Sequence, residues 1–182
     1  IYYKNTLKVS SPDLLLTQYQ NINVVSEPTE MTIGGKKMML VPWICEENRN
    51  KTMDMIAKTK AKFCMGHLEL NGFSPVPGYT MTHGDNPDIF KKFQLTCSGH
   101  YHMRSRRDRI VYLGNPYQLY WNDYGHDRGF HILNTDDYQL DFIKNPYNTF
   151  SKLFYKDGVG ITDEEIESVK GTYVKLIVED KK

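Results

Sequence analysis

Phe63-Cys64-Met65-Gly66-His67 and Thr96-Cys97-Ser98-Gly99-His100 repeat one pattern: a short apolar run, a glycine, then a histidine. Residues 61–65 and 94–98 each read as a buried strand. A glycine at the strand end lets the backbone leave the sheet and come close to a ligand. Between the two copies lie a Gly- and Pro-rich loop, residues 68–81, and a short helix predicted over residues 87–93 after Asp85-Asn86. The helix between the two buried strands suggests that they are parallel, and parallel strands deliver both histidines to one carboxyl-end rim. That rim is where open α/β sheets place their sites. His102 follows two residues after His100. In extended backbone the two would face opposite ways; in turned backbone they address two different points.

Upstream of this core, residues 10–20 read as a short helix with Pro12 in its first turn and Leu14, Leu15, Leu16 and Tyr19 as an apolar stripe. Residues 23–25 read as a short strand. Residues 31–33 and 37–41 flank Gly34-Gly35, a hairpin signal. Residues 50–60 read as a helix with Met53, Ile56 and Ala57 on one face. Downstream, residues 110–113, 118–121, 129–133 and 138–143 read as strands, the last pair turning at Asp136-Asp137. Alternation of helix with buried strand, then a run of strands, predicts an α/β fold with mixed sheets and helices packed against them. After Asn145-Pro146 the character shifts to a glycine-containing link, residues 156–160, a helix-capping signature at Thr162-Asp163-Glu164-Glu165, and an alternating strand over residues 173–178. Residues 1–146 are therefore expected to form one core, and residues 147–182 the opening of a second domain.

Composition narrows the function classes. With 40% apolar and 25% charged residues the chain is neither disordered nor low-complexity. Its longest apolar run, residues 38–45, is interrupted by Pro42 and is far short of the roughly 18 residues that cross a bilayer, so no membrane partner is expected. Lys and Arg number 23 against 22 Asp and Glu, so any argument for a nucleic-acid partner must come from local patches. Three cysteines in 182 residues make no disulfide framework and point to a reducing compartment.

His67, His100 and His102 are the candidate metal ligands. Neutral imidazoles from separate strands suit Mn, Fe or Zn. A rival set, Cys64-x-x-His67 with Cys97-x-x-His100, offers a tetrahedral zinc site on paper. Cys64 and Cys97 lie inside apolar runs, where free cysteine packs as a small hydrophobe, and Cys45 reads as core or loop. Gly84-Asp85-Asn86-Pro87-Asp88 reads as a turn and helix N-cap. Arg104, Arg106, Arg107 and Arg109 surround Asp108; they read as DNA-phosphate contacts or as a solvated hairpin tip. His83 and His131 carry no partner pattern and read as structural, while His126 sits in a loop beside Asp127-Arg128-Gly129. Tyr117, Tyr120, Trp121 and Tyr124 form an aromatic cluster suited to packing, with base stacking as the functional alternative.

Gly66-His67 with Glu69-Leu70-Asn71-Gly72-Phe73, Gly99-His100-Tyr101-His102, Tyr112-Leu113-Gly114-Asn115-Pro116 and Asp127-Arg128-Gly129-Phe130 together resemble the later half of a calcineurin-like metallophosphoesterase. Within that superfamily, Val41-Pro42-Trp43-Ile44-Cys45-Glu46-Glu47-Asn48 and the Glu69-to-Phe73 run resemble the SbcD-type DNA-repair nucleases. The resemblance covers roughly residues 1–143. It implies the carboxyl-terminal half of a four-layer sandwich, followed by the start of a capping or DNA-recognition domain. It also implies a site with two ions, usually Mn (with Mg, Fe or Zn as alternatives), His67 and His100 on one ion and His102 on the other. The implied activity is metal-dependent exonuclease or endonuclease hydrolysis of DNA in recombination and double-strand-break repair. The implied partners are DNA, an SbcC- or Rad-type ATPase subunit and a second copy of the chain, in the cytoplasm of a bacterium or phage-infected host cell. The family's early motifs, Asp-x-His, Gly-Asp-x-x-Asp and Gly-Asn-His-Asp, are expected upstream of the residues given. Gly84-Asp85-Asn86-Pro87-Asp88 mimics the second but falls between the two Gly-His strands, whereas the family's comes before both, and Ile1-Tyr2-Tyr3-Lys4-Asn5 resembles the segment just after the last of them. The chain alone is accordingly expected to be inactive. Two other classes stay open, a different calcineurin-like phosphodiesterase and a non-catalytic module stabilised by zinc.

Overall fold

The computed structural model describes Thr6 and residues 10–179; the Ile1-to-Asn5 segment and the last three residues lie outside the described part. Its centre is a mixed sheet. Strands β1 (Thr29–Ile33) and β2 (Lys36–Val41) form the expected hairpin. Gly34 and Gly35 turn it at φ 58° and 77°, positive values that a tight primed turn demands at both central positions. Strands β2, β3 (Phe63–Gly66), β4 (Leu95–Ser98) and β6 (Ile110–Tyr112) pair in parallel, as the Gly-His pattern required. Strand β5 (Ser105–Arg107) closes the far edge antiparallel to β6, giving the order β1-β2-β3-β4-β6-β5.

Side-chain alternation sends each strand into two cores. Met39, Val41, Cys64, Ile110 and Tyr112 pack against helix α2 (Glu46–Lys58) and against Leu68, Leu70, Phe73, Phe90 and Phe93 of the long loop. Met38, Phe63, Leu95, Cys97 and Val111 face the other way. There they meet a hairpin of β7 (Gly129–Leu133) and β8 (Leu140–Lys144) through Leu133, Tyr138 and Leu140. Phe63 and Cys64 of β3 and all four residues of β4 are buried, on alternate faces of the sheet. The mixed α/β architecture expected from the sequence is thus present, as three layers.

Several boundaries differ from the sequence reading, each for a local reason. Helix α2 starts at Glu46, four residues earlier than predicted, because Asn48 accepts from the Cys45 N–H at 2.9 Å and does the work of a Glu or Gln in a capping box. Glu46 and Glu47 then favour the helix start electrostatically. The first helix, α1, is confined to Ser11–Leu16. Residues 23–25 join no sheet. Residues 118–121 are not a strand, since their backbone groups are used elsewhere. The Leu119 and Tyr120 N–H groups donate to the Asp123 carboxylate, and the Gln118 side chain accepts from Thr149 and Phe150. Residues 87–93 keep only one tight helical turn, Pro87–Phe90, capped by Asn86.

The C-terminal unit pairs β9 (Phe150–Tyr155) in parallel with β10 (Tyr173–Val178) across helix α3 (Asp163–Ser168), which carries the expected Thr162 capping box. No side chain of these three elements is fully buried. The unit is held to the core by Gln118, by Trp121 against Phe150 at 4.7 Å and by Lys152 over Tyr124 at 4.3 Å. Among the described residues no helix is long and apolar enough to cross a membrane.

Candidate metal centre

The carboxyl ends of β3 and β4 place His67 and His100 side by side, ring centroids 5.2 Å apart and edge to face. The two glycines make this possible in different ways. A Cβ on Gly66 would sit 2.6 Å from the Val41 carbonyl oxygen, so only glycine lets β3 leave the sheet there. A Cβ on Gly99 would press within 3.1 Å of His67 Nδ1, so the missing side chain is the space the imidazole occupies. His100 itself has φ 82°, a left-handed conformation that a non-glycine residue adopts at a cost, and it is what turns the ring back over the rim. Trp43 closes one side of the pair, 5.1 Å from His100 and 6.2 Å from His67. Its carbonyl accepts from the same Asn48 that caps α2.

Three hydroxyls stitch the floor. Ser98 Oγ accepts from the Leu68 N–H, Tyr112 donates to the Leu68 carbonyl and accepts from the Leu70 N–H, and Tyr101 donates to the Leu70 carbonyl. The two stacked tyrosines are buried, and desolvation pushes the Tyr101 phenol up to about 12, so it serves as a fixed donor. This stitching presents Glu69, whose Oε1 lies 3.9 Å from His100 Nε2 and 3.6 Å from His83 Nε2. A cavity of about 260 Å³ opens beside it, lined by Trp43, Ile44, Arg49, Glu69, Gly84 and Asp85. Burial first, and the neighbouring His100 second, hold the His67 pKa down at about 4. At neutral pH His67 therefore carries no charge and has a lone pair to offer, the state that a metal ligand needs.

His102 does not join this pair. Its ring stacks on Tyr120, centroids 5.6 Å apart and 5° from coplanar, and its Nδ1 lies 3.6 Å from Asp123 Oδ1. Asp123 is the centre of a buried polar hub. It accepts from Asn115, from the Leu119 and Tyr120 N–H groups and from Arg128, which also donates to the Asn115 side chain and the His102 carbonyl. Burial alone would raise the Asp123 pKa, but those donors and the guanidinium charge outweigh it and the net shift is downward. Among the described residues no group of three or more His, Cys, Asp or Glu side chains converges as a complete metal site.

The cysteine alternative fails on geometry. Cys64 and Cys97 project from opposite faces of the sheet into different cores, and burial pushes both thiols far up, Cys97 to about 12. With Cys45 they are buried and free. Alternation also divides the four arginines. Arg104 lies 3.7 Å over the Phe142 ring and Arg106 follows it on that side, together lining a cavity with His131. Arg107 turns to the opposite face, over Phe73 and donating to the Gly72 carbonyl, and Arg109 is exposed. Asp108, at φ 53°, turns the β5–β6 hairpin. Asp85 pairs with Arg49 at 2.6 Å while Asn86 caps the turn that follows. His131 packs against Phe142 as a structural residue, and His126 lines a cavity next to Lys144 and Tyr147. In the aromatic cluster, Trp121 and Tyr124 are taken up by the C-terminal unit, Tyr117 is half exposed, and Tyr120 covers His102.

Sequence reasoning did not foresee Glu69 and His83 as neighbours of His100, Trp43 as the wall of the pair, or the Asp123–Arg128–Asn115 hub. Glu69 and Trp43 stood within runs noticed only for their resemblance. The hub is local, built within residues 115–128, but its spacing carries no periodic signal.

No protein-family profile matches the chain. It is 34% identical over 155 residues to exonuclease subunit 1 of Enterobacteria phage T4, a match covering 85% of this chain and 45% of that protein. The chain thus spans less than half the length of the curated relative it matches, and its sequence is related to that of a nuclease subunit.

Proposed function

We propose that this chain supplies the histidine rim of a metal-dependent DNA phosphodiesterase, in a nuclease subunit of the SbcD type within the calcineurin-like metallophosphoesterases. The observation that carries the reading is the pair of imidazoles, His67 and His100, brought ring to ring by two parallel strands that each end in Gly-His. The similarity to a phage exonuclease subunit supports the same reaction class. The donor set fits manganese or a similar divalent ion: a histidine kept neutral, its neighbour turned back by a left-handed residue, and a carboxylate, Glu69, at the edge. His67 and His100 would hold one ion and His102 the other. When bound, such a pair polarises a phosphodiester and lowers the pKa of an attacking water.

The chain's own residues hold and shape this site. The Tyr101, Tyr112 and Ser98 hydroxyls fix the turn bearing Glu69, and Trp43 walls the imidazoles. In this reading Arg104, Arg106, Arg107 and Arg109 of the edge hairpin would neutralise backbone phosphates of DNA without reading its sequence. An ATPase subunit of the SbcC or Rad type and a second copy of the chain are the partners this reading implies. Because three ligands do not converge among the described residues, this reading has the chain bind metal weakly by itself and leave DNA intact. Titrating the chain with Mn²⁺ and following free Mn²⁺ by electron paramagnetic resonance tests this. Weak binding that His67→Ala/His100→Ala abolishes is expected. Binding that survives the double substitution, or DNA hydrolysis by the chain alone, would overturn the reading.

A further inference from the structure

Asp123 has two oxygens and unequal demands on them. Oδ2 accepts from Asn115 Nδ2 at 2.9 Å, the Leu119 N–H at 2.8 Å and the Tyr120 N–H at 3.1 Å. Oδ1 accepts from Arg128 Nη2 at 3.0 Å, and the other group facing it is His102 Nδ1, at 3.6 Å. An ionised carboxylate offers about four lone-pair positions, so Oδ1 has room for one more donor. The Asp123 side chain is only 4% exposed, so the hub, and not bulk solvent, dictates which donor that is. The imidazole meanwhile has little freedom to leave. It lies flat on Tyr120, whose N–H is tied to the same carboxylate, and the His102 carbonyl is tied to Arg128. A separation of 3.6 Å is ion-pair range, just beyond hydrogen-bond length, and only a small tilt of the ring on Tyr120 would be needed to close it.

From this arrangement we infer that Asp123 is a positioning residue for His102: it fixes the imidazole with N–H at Nδ1 facing inward and the lone pair of Nε2 facing out. A second group that sets the tautomer of a ligating histidine is a familiar requirement of metal sites, and here the group is a carboxylate locked by four other donors. The purpose assigned to it rests on the metal-binding role proposed for His102; the geometry does not. The side chain is 37% exposed, so its outward nitrogen is accessible. The hub also explains why Asn115 and Arg128, neither of them near a Gly-His strand end, are buried: both hold the carboxylate that faces the ring.

Nitrogen-15 spectra of the 182-residue chain at pH 8, read through the long-range couplings of the imidazole carbons' protons to the ring nitrogens, decide the matter. The expected spectrum of the unsubstituted chain has His102 predominantly protonated at Nδ1. In Asp123→Asn an amide oxygen in place of Oδ2 keeps its three donors, and the NH₂ then faces His102 at the expense of the Arg128 hydrogen bond, so the predominant form in the folded variant should reverse to Nε2–H while the His131 pattern stays put. Finding His102 in the unsubstituted chain as the Nε2–H form, or as the exchanging mixture of a free imidazole, would overturn the inference whether or not the variant folds. Added Mn²⁺ separates this from the metal reading. A fixed tautomer with no paramagnetic broadening of His102 sinks the metal role and leaves the positioning intact; broadening of a ring in mixed tautomers does the reverse.

Discussion

His67 and His100 face each other across two strand ends against a tryptophan, while His102, two residues beyond His100, lies on a tyrosine above a buried carboxylate. The first region lowers an imidazole's pKa by partial desolvation and by setting a second imidazole beside it, while the residue itself stays exposed. The second presents its imidazole to an anion and fixes that anion with a guanidinium and three other donors. One residue type thus sits in two electrostatic settings within a single loop turn. The difference shows how a sheet rim can offer two distinct binding points with few residues: glycines and left-handed backbone build one, a polar hub builds the other.

The hub can be broken more severely than the rim. Arg128→Ala would leave Asp123 ionised and buried without its cation, and would strip a donor from the Asn115 and His102 oxygens. Removing one partner of a buried pair typically costs about 3–5 kcal/mol, and a loss of that size is expected in urea unfolding of the chain. A loss below about 1 kcal/mol would mean that the hub tolerates an unpaired carboxylate, and the contrast with the rim would collapse.

At the rim the two glycines separate packing from positioning. Gly66→Ala forces a Cβ to within 2.6 Å of a backbone oxygen that cannot retreat without parting β2 from β3, so a destabilisation of about 2 kcal/mol is expected. Gly99→Ala meets the end of a side chain at 3.1 Å instead, and that ring can swing. Its expected effect is a stability change of about 0.5 kcal/mol at most, with the His67 ring resonances displaced. Equal destabilisation by both would show that His67 is as rigidly packed as backbone.

The same contrast governs what could be read in advance. The parallel strands, the Gly34-Gly35 hairpin and the shared rim of His67 and His100 were legible because each follows from a local rule: apolar runs, turn chemistry, or glycine at a strand end. The side chain of Asn48 capping α2 was not, since it replaces the usual Glu or Gln and its backbone partner is a cysteine. Nor was the absence of a strand at residues 118–121, where apolar and aromatic residues suggest β structure but Asp123 captures the amides. Of the candidate site, the juxtaposition of the two strand-end histidines could be read in advance. The parts that came from loops could not: Glu69 and Trp43 depend on contacts between distant segments, and the hub, though local, folds into irregular turns that no periodic spacing encodes.

Acid titration offers the finest test of the two settings. The His67 pKa falls from an ordinary 6.5 to about 4 on folding. Above pH 6.5 the ring is neutral in both states and its contribution to stability is complete. As the pH drops toward 4 the unfolded chain takes up a proton that the folded chain refuses, so stability is lost across that window. The ring keeps a face open to solvent, which reduces the effect to the order of 1 kcal/mol. Asp123 has the same sign but a lower window. Its carboxylate is stabilised in the folded state, so its contribution holds above the ordinary 3.8 and is lost only as the pH falls further, through the depressed value. Stability of the unsubstituted chain minus that of His67→Asn, plotted against pH, should therefore fall between about 6.5 and 4 and then level off, with the steeper acid loss below it common to both chains. A flat difference curve would mean that His67 is as well hydrated as a surface histidine, and the desolvation assigned to the rim would have to be withdrawn.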